Sequence, residues 1–245
     1  MAGTTTGTAI TILIPNENVK SGDYTQMRTT ARPSHADYAA QCKYHGYQDF
    51  RGGGHFSGRL TAPLCFAGSI CGQILERRGI YTGAHILQVH NIKEEKFNPC
   101  EVTKEQIVAL RHKKFPTLND KKGAAMVADI AKAREAGDSV GGIIECVITN
   151  VPAGIGSPIF EGLENSIAQL VFGIPAVKGI EFGAGFALAD MRGSQANDPF
   201  CLKNGKILFS SECRASIREF GLYRWETGSS KDAVRKENDH AMDDI

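Results

Sequence analysis

The sequence predicts a mixed α+β fold. Three observations carry that expectation. Apolar strand-like runs alternate with helical runs along the chain. Their spacing does not follow the repeated strand–helix–strand unit of a dinucleotide-binding sheet. Glycine is concentrated in the segments that join them. The chain has 245 residues, enough for one large domain or two small ones. Its 27 glycines exceed the usual share of roughly 7%, which points to loops where backbone must approach something closely.

Taken in order, residues 8–14 read as a buried strand that ends at Pro15-Asn16. Residues 34–44 read as a helix with Ser34 as its N-cap. Residues 48–58 are a polar, glycine-dense loop. Residues 60–78 form an apolar helical pattern with Arg77 and Arg78 in the last turn and Gly79 as the stop. A strand is expected over 80–90, then a connective stretch with a short helix near 103–112. Residues 120–136 read as a helix closed by Gly137, and 143–149 as a strand followed by a turn. Residues 160–172 read as a helix broken by Gly173-Ile174-Pro175. A short strand over 176–182 precedes the loop Gly183-Ala184-Gly185. The final stretch, 231–245, is polar and charged, with the composition of a disordered tail.

Lys and Arg number 28 against 27 Asp and Glu, so the formal net charge is +1. That balance argues against a generic electrostatic nucleic-acid binder. The basic runs at 111–114 and Lys121-Lys122 read as solvated faces. No apolar run reaches the roughly 18–20 residues that cross a bilayer. The opening MAGTTTGTAI lacks a basic region followed by an apolar stretch, so no secretory signal is expected. The seven cysteines (42, 65, 71, 100, 146, 201 and 213) are an odd count without a CxxC pair. They are expected to be reduced, small buried hydrophobes of a cytoplasmic protein.

Chemistry concentrates in residues 31–62. That segment holds His35, His45 and His55, Arg32, Arg51 and Arg59, and the triplet Gly52-Gly53-Gly54. Adjacent glycines let backbone N–H groups converge on one point, a common way to hold phosphate. Arg59 then stands at the start of the next helix, where a guanidinium adds to the attraction for an anion. The string is not a P-loop: Arg59 replaces the lysine, Leu60 the magnesium-binding Ser or Thr, and no strand precedes it. The histidines lie ten residues apart without a carboxylate or cysteine ligand pattern, so no metal is expected. His35 could serve as a general acid; its plainer reading is a helix-start histidine bonded to a neighbour. The second candidate, residues 173–199, has glycine loops of the kind that carry ligands, or that merely punctuate strands and turns.

Two blocks carry a family resemblance. Arg32-Pro-Ser-His-Ala-Asp-Tyr38, followed by Asp49-Phe-Arg-Gly-Gly-Gly-His-Phe-Ser-Gly-Arg59, resembles the central signature of chorismate synthases. Pro175-Ala-Val-Lys-Gly-Ile-Glu-Phe-Gly-Ala-Gly-Phe186 and Gly193-Ser-Gln-Ala-Asn-Asp198 are similar to that family's second glycine-rich block. Thr5-Thr-Gly-Thr-Ala9 fits the stretch upstream, and the likeness covers roughly residues 3–211.

The resemblance implies a β-α-β sandwich and a lyase of the shikimate pathway, serving aromatic amino acid biosynthesis. Members eliminate phosphate from 5-enolpyruvylshikimate 3-phosphate in a 1,4-anti sense, giving chorismate. They require reduced FMN, with NADPH a reductant in some members. They are typically cytoplasmic homotetramers. His35 corresponds to the histidine assigned to proton transfer with the flavin. Gly58 and Arg59 correspond to a substrate-contacting pair. His55, Phe56 and Ser57 correspond to a tripeptide touching FMN, although many members have Arg-Ser-Ser there. Gln195 and Ala196 correspond to a second FMN contact.

The same resemblance implies that residues 1–211 are the central part of a chorismate synthase-like domain. The family's N-terminal Gly-Glu-Ser-His-Gly block, its C-terminal Arg-His-Asp motif and its Lys-Pro-Thr loop are not found in this sequence. Residues 212–245 read as a divergent or out-of-frame tail. The chain alone is therefore expected to be poorly soluble and to turn over little. The alternative reading is a non-catalytic flavin- or phosphate-binding remnant, or a subunit partner.

Overall fold

The computed structural model describes residues 5–17, 20–98, 101–196, 201–203 and 206–208. The expected tail over 212–245 lies outside the described residues, as do Cys100 and Cys213. The chain divides into two compact units. One comprises Met1–Gln73 with Glu164–Ile180, the other Ile74–Leu163 with Glu181–Ile245.

In the first unit a 3-10 turn, Ser21–Arg28, is followed by helix α1 (Asp37–Tyr44). A second 3-10 turn, Arg51–Phe56, leads through Gly58–Leu60 into α2 (Thr61–Arg77). The chain crosses from the first unit to the second inside α2. The start of α1 differs from the sequence expectation. Ser34 is left-handed at φ +55° and cannot cap, so the helix begins three residues later, after Ala36, which gives no side-chain cap. The helix ends on two left-handed residues, His45 (φ +52°) and Gly46 (φ +82°), a common αL exit. Ala40 is the one buried hydrophobic residue described in this unit.

The loop expected over 48–58 winds into the 3-10 turn. Gly54 allows it: at φ +53°, a side chain there would place its Cβ 2.1 Å from the Asp49 carbonyl oxygen. The expected strand over 8–14 does not form. Those residues have no ladder partner among the described residues, and Ile10, Ile12, Leu13 and Ile14 are exposed, Leu13 at 87%. The strand expected over 176–182 is absent as well. A turn with Ala176 at φ +69° opens that stretch, and irregular backbone follows. Helix α5 (Leu163–Phe172) begins later than expected, because Ser157 donates its N–H to the Glu161 carbonyl and holds a turn through left-handed Ile159 (φ +71°).

The second unit holds an antiparallel sheet ordered β2-β1-β3, from β1 (Tyr81–Val89), β2 (Ile92–Lys93) and β3 (Gly142–Thr149). Strands β1 and β3 run in register from Tyr81 opposite Thr149 to Val89 opposite Gly142, with a bulge between Ile86 and Gln88. One face of β1 presents His85, Leu87 and Val89, all buried. That alternation is what a half-buried strand requires. Helix α3 (Lys104–Arg111) supplies Ile107 and Leu110 to the same core, and α4 (Asp120–Glu135) supplies Met126. Gly83 lets α3 sit close: a Cβ there would lie 2.9 Å from Ile107 Cγ2. Both helices have side-chain N-caps. The Thr103 hydroxyl accepts from the Gln106 N–H, and the Asn119 side chain accepts from the N–H groups of Lys121 and Lys122. Gly137 (φ +70°) ends α4 and Gly79 (φ +79°) ends α2, as expected.

The core of this unit contains a polar knot. His85 is fully buried, with Nδ1 2.5 Å from Glu94 Oε1 and Nε2 2.7 Å from Glu145 Oε2. Glu94 also accepts from the N–H groups of Leu118 and Asn119, and Glu145 from that of Phe97. The two ring nitrogens link Glu94 to Glu145 and, through the backbone N–H groups those side chains accept from, tie β1, β3 and the start of α4 together.

Beyond the sheet, the unit contains a 3-10 turn at Gly185–Asp190, the short helix α6 (Gly193–Ala196), and a hairpin of β4 (Cys201–Lys203) and β5 (Lys206–Leu208). The sequence reading did not assign that hairpin. The expectation of buried cysteines is corrected where they are described. Cys42 on α1, Cys65 and Cys71 on α2 and Cys146 on β3 are free thiols but exposed, since no described element covers those faces.

Candidate functional site

The residues singled out in the 31–62 segment all fall in the first unit. The backbone reversal at Ser34 folds Arg32 back onto the start of α1. There, Asp37 accepts from Arg32 Nε at 2.8 Å, Nη2 at 3.0 Å and its backbone N–H at 3.0 Å. His35 joins the cluster, its Nδ1 2.7 Å from Asp37 Oδ1. Arg32 Nη2 lies 3.1 Å from each ring nitrogen of His35. The side chains are partly enclosed, His35 at 26% exposure and Asp37 at 16%. The Arg32 guanidinium holds the Asp37 carboxyl far below the usual carboxylate range, with the His35 charge adding to the shift. His35 is thus bonded to neighbours, and the expected N-cap role of Ser34 is replaced by a carboxylate clamp.

The next arginine is also paired. Arg51 donates from Nε and Nη2 to the two carboxylate oxygens of Asp49, at 2.9 Å each. This lowers Asp49 to about 2. Arg59 differs: among the described residues no carboxylate lies within ion-pair reach of its exposed guanidinium, and its N–H is taken by Ser57 Oγ at 3.2 Å. Of the three arginines, Arg59 alone is uncommitted to a carboxylate and open to an outside anion. Gly58 and Arg59 lie in the short turn that starts α2, beside exposed His55 and half-buried Phe56 and Ser57. His45 serves as the left-handed exit of α1. Among the described residues no three His, Cys, Asp or Glu side chains cluster to hold a metal ion.

Gln195 and Ala196 lie in the second unit, on α6. Gln195 Oε1 accepts the Arg192 N–H, which leaves the side-chain amide nitrogen as a donor. Of the block Gly193–Asp198, Asn197 and Asp198 fall outside the described residues. The basic runs at 111–114 and 121–122 are partly neutralised: Arg111 pairs with Glu76, and Lys113 with Asp120 at 2.6 Å.

Sequence reasoning missed Asp37 and Asp49 as site-forming residues. The available signal was spacing: an Asp two residues after His35, and another two residues before Arg51.

Comparison with known proteins bears on this arrangement. A family model described as Chorismate synthase matches residues 1–218. The chain is 48% identical over 208 residues to a chorismate synthase of Thermococcus kodakarensis, covering 84% of this chain and 56% of the relative. It is 44% identical over 207 residues to one from Korarchaeum cryptofilum, with the same two coverages. A solved structure titled Crystal Structure of Chorismate Synthase aligns with a TM-score of 0.55 at 28% identity, covering 70% of this chain and 54% of that one. The chain thus spans about half the length of the curated relatives it matches.

Proposed function

Because the chain belongs to the chorismate synthase family, we propose that it carries the central part of a lyase that eliminates phosphate from 5-enolpyruvylshikimate 3-phosphate to give chorismate. The observation that carries this reading is the uncommitted Arg59 guanidinium at the start of α2, beside the glycine-rich turn. A departing phosphate takes the electron pair of its C–O bond, and a fixed cation stabilises the charge that develops. Arg59, with Gly58, binds and orients the anionic substrate. His35 holds a proton at its imidazole.

The residues present fit a bound flavin. In the first unit, His55 offers an exposed ring and Phe56 a half-buried aromatic surface next to Ser57; in the second unit, taken by itself, Gln195 keeps an amide donor next to Ala196; each set suits a flavin contact. Reduced FMN, when bound, supplies transient electron density without net redox change. NADPH as the reductant, a homotetrameric assembly and a cytoplasmic location belong to the same proposal. No described helix is long and apolar enough to cross a membrane, and nothing in the described residues suggests nucleic-acid binding.

The test is anaerobic titration of the chain with photoreduced FMN and 5-enolpyruvylshikimate 3-phosphate, reading flavin absorbance and phosphate release. FMN is expected to bind, and the substrate to change its spectrum. Phosphate release is expected well below that of a full-length relative. Arg59→Ala removes a charge-assisted contact of roughly 1.5–3 kcal/mol, so substrate binding weakens by about 10–100-fold. Absence of both flavin and substrate binding overturns the proposal.

A further inference from the structure

The start of α2 carries an inference that rests on the proposed role of Arg59 in binding the anionic substrate. The carbonyl of Gly58 and the N–H of Arg59 are the two ends of one peptide unit, and a side-chain hydroxyl holds each. Ser57 Oγ accepts the Arg59 N–H at 3.2 Å. Thr61 Oγ1 donates to the Gly58 carbonyl at 2.7 Å. The Thr61 N–H donates to the same oxygen. A peptide has one N–H proton and two carbonyl lone pairs, so this peptide is fully committed within the turn. We propose that Ser57 and Thr61 are positioning residues that clamp the Gly58–Arg59 peptide, so that this pair meets the substrate through the Arg59 guanidinium and not through its backbone.

The clamp is tied in on both sides. Ser57 has the extended backbone of an N-cap, φ −73° and ψ 140°. Its N–H donates to the Gly54 carbonyl at 3.3 Å, and its own carbonyl accepts the Leu60 N–H at 3.2 Å. One residue thus joins the end of the glycine-rich turn to the start of α2. Thr61 holds the other side as the first residue of α2, and its β-branched side chain has few rotamers to escape to. Ser57 and Thr61 are half-buried, whereas Gly58 and Arg59 are exposed. The holding groups therefore lie on the protein side and the guanidinium on the solvent side. In an anion nest successive N–H groups aim at the ligand; here the turn spends the Arg59 N–H internally. A long side chain loses rotamer freedom when it is ordered. With its peptide already fixed, Arg59 has only its own side-chain torsions left to order on binding.

The experiment is a double-mutant cycle on the full chain, read by binding of 5-enolpyruvylshikimate 3-phosphate in the presence of reduced FMN. Thr61→Val keeps the branched shape and removes the hydroxyl. It is expected to weaken substrate binding by roughly 3- to 10-fold and to leave FMN affinity unchanged, while Thr61→Ser restores wild-type binding. In an Arg59→Ala background Thr61→Val should cost nothing further, the non-additivity of a residue that acts through another. Ser57→Gly and Ser57→Ala separate capping from direct contact of the hydroxyl with a ligand. Glycine caps nearly as well as serine and alanine does not, so Ser57→Gly should keep most of the affinity that Ser57→Ala loses. Far-UV circular dichroism of each variant checks that α2 persists. Equal losses from Thr61→Val in both backgrounds overturn the proposal, as does a Ser57→Gly variant as weak as Ser57→Ala. Exchange of the Arg59 amide reads the clamp without any ligand, and Ser57→Ala should speed it by roughly 3- to 10-fold; an unchanged rate also overturns the proposal. Failure of the underlying reading shows elsewhere. If Arg59→Ala binds substrate as the wild type does, the role of Arg59 falls, and the amide rate still decides whether the peptide is clamped.

Discussion

Asp37 and Asp49 have the same kind of partner and differ in enclosure. Asp49 lies open to solvent with Arg51, whereas Asp37 is partly covered and accepts four contacts. Both folded-state carboxyls are depressed below the ordinary value of about 3.9. A depressed acid contributes stability above its unfolded value, and that contribution is lost as pH falls through its folded one. Both clamps are therefore intact at neutral pH. At pH ~3, where an ordinary aspartate is mostly protonated, both side chains are expected to remain ionised. Carbon-13 NMR of the side-chain carboxyls checks this: Asp49 should titrate at about 2 and Asp37 lower still. A midpoint near 4 for either would show that its arginine does not hold it. The plain helix-start reading of His35 was close to what the structure shows. The identity of its partner was not legible, because it depends on a chain reversal at Ser34 that residue type does not announce.

At the scale of elements, legibility followed periodicity. Helices α2, α3 and α4 and strands β1 and β3 lie within a residue or two of where apolar spacing and terminal glycines put them. Residues 8–14 and 176–182 have strand composition but no strand, because a strand is a pairing and composition does not supply the neighbour. The 3-10 turn through Gly52–Gly54 read as loop because three glycines carry no periodicity at all. The polar knot was equally invisible. His85, Glu94 and Glu145 sit on three separate segments, and only the register of β1 on β3, Tyr81 opposite Thr149 onward, brings the last of them to the ring. Removing its centre should be severe. His85→Leu leaves two carboxylates facing a buried gap, and breaking a buried ionic cluster costs about 3–5 kcal/mol. Urea denaturation should show a lower midpoint with an unchanged slope. A loss below about 1 kcal/mol would mean that the knot is worth no more than a surface pair.

At the scale of the whole chain, stabilising contacts are unevenly placed. The buried hydrophobics described, apart from Ala40, lie between Ile80 and Met126, all in the second unit. Helices α2 and α5 bury no residue, and Leu64, Leu170 and Phe172 stand open. Amide exchange should follow that map. Strand β1 with α3 and α4 should be the slowest to exchange, and residues 8–14 should exchange at nearly unfolded rates. Uniform protection across the chain would contradict it. Exposed apolar area of this extent also invites self-association. The reach of the His85 knot has a further consequence, in time. Glu145 follows His85 by 60 residues. At roughly 5–20 residues per second during synthesis, the imidazole waits about 3–12 s for its second carboxylate. Until β3 emerges from the ribosome, β1 has a free flank and a half-satisfied ring, so folding of this unit is paced by translation.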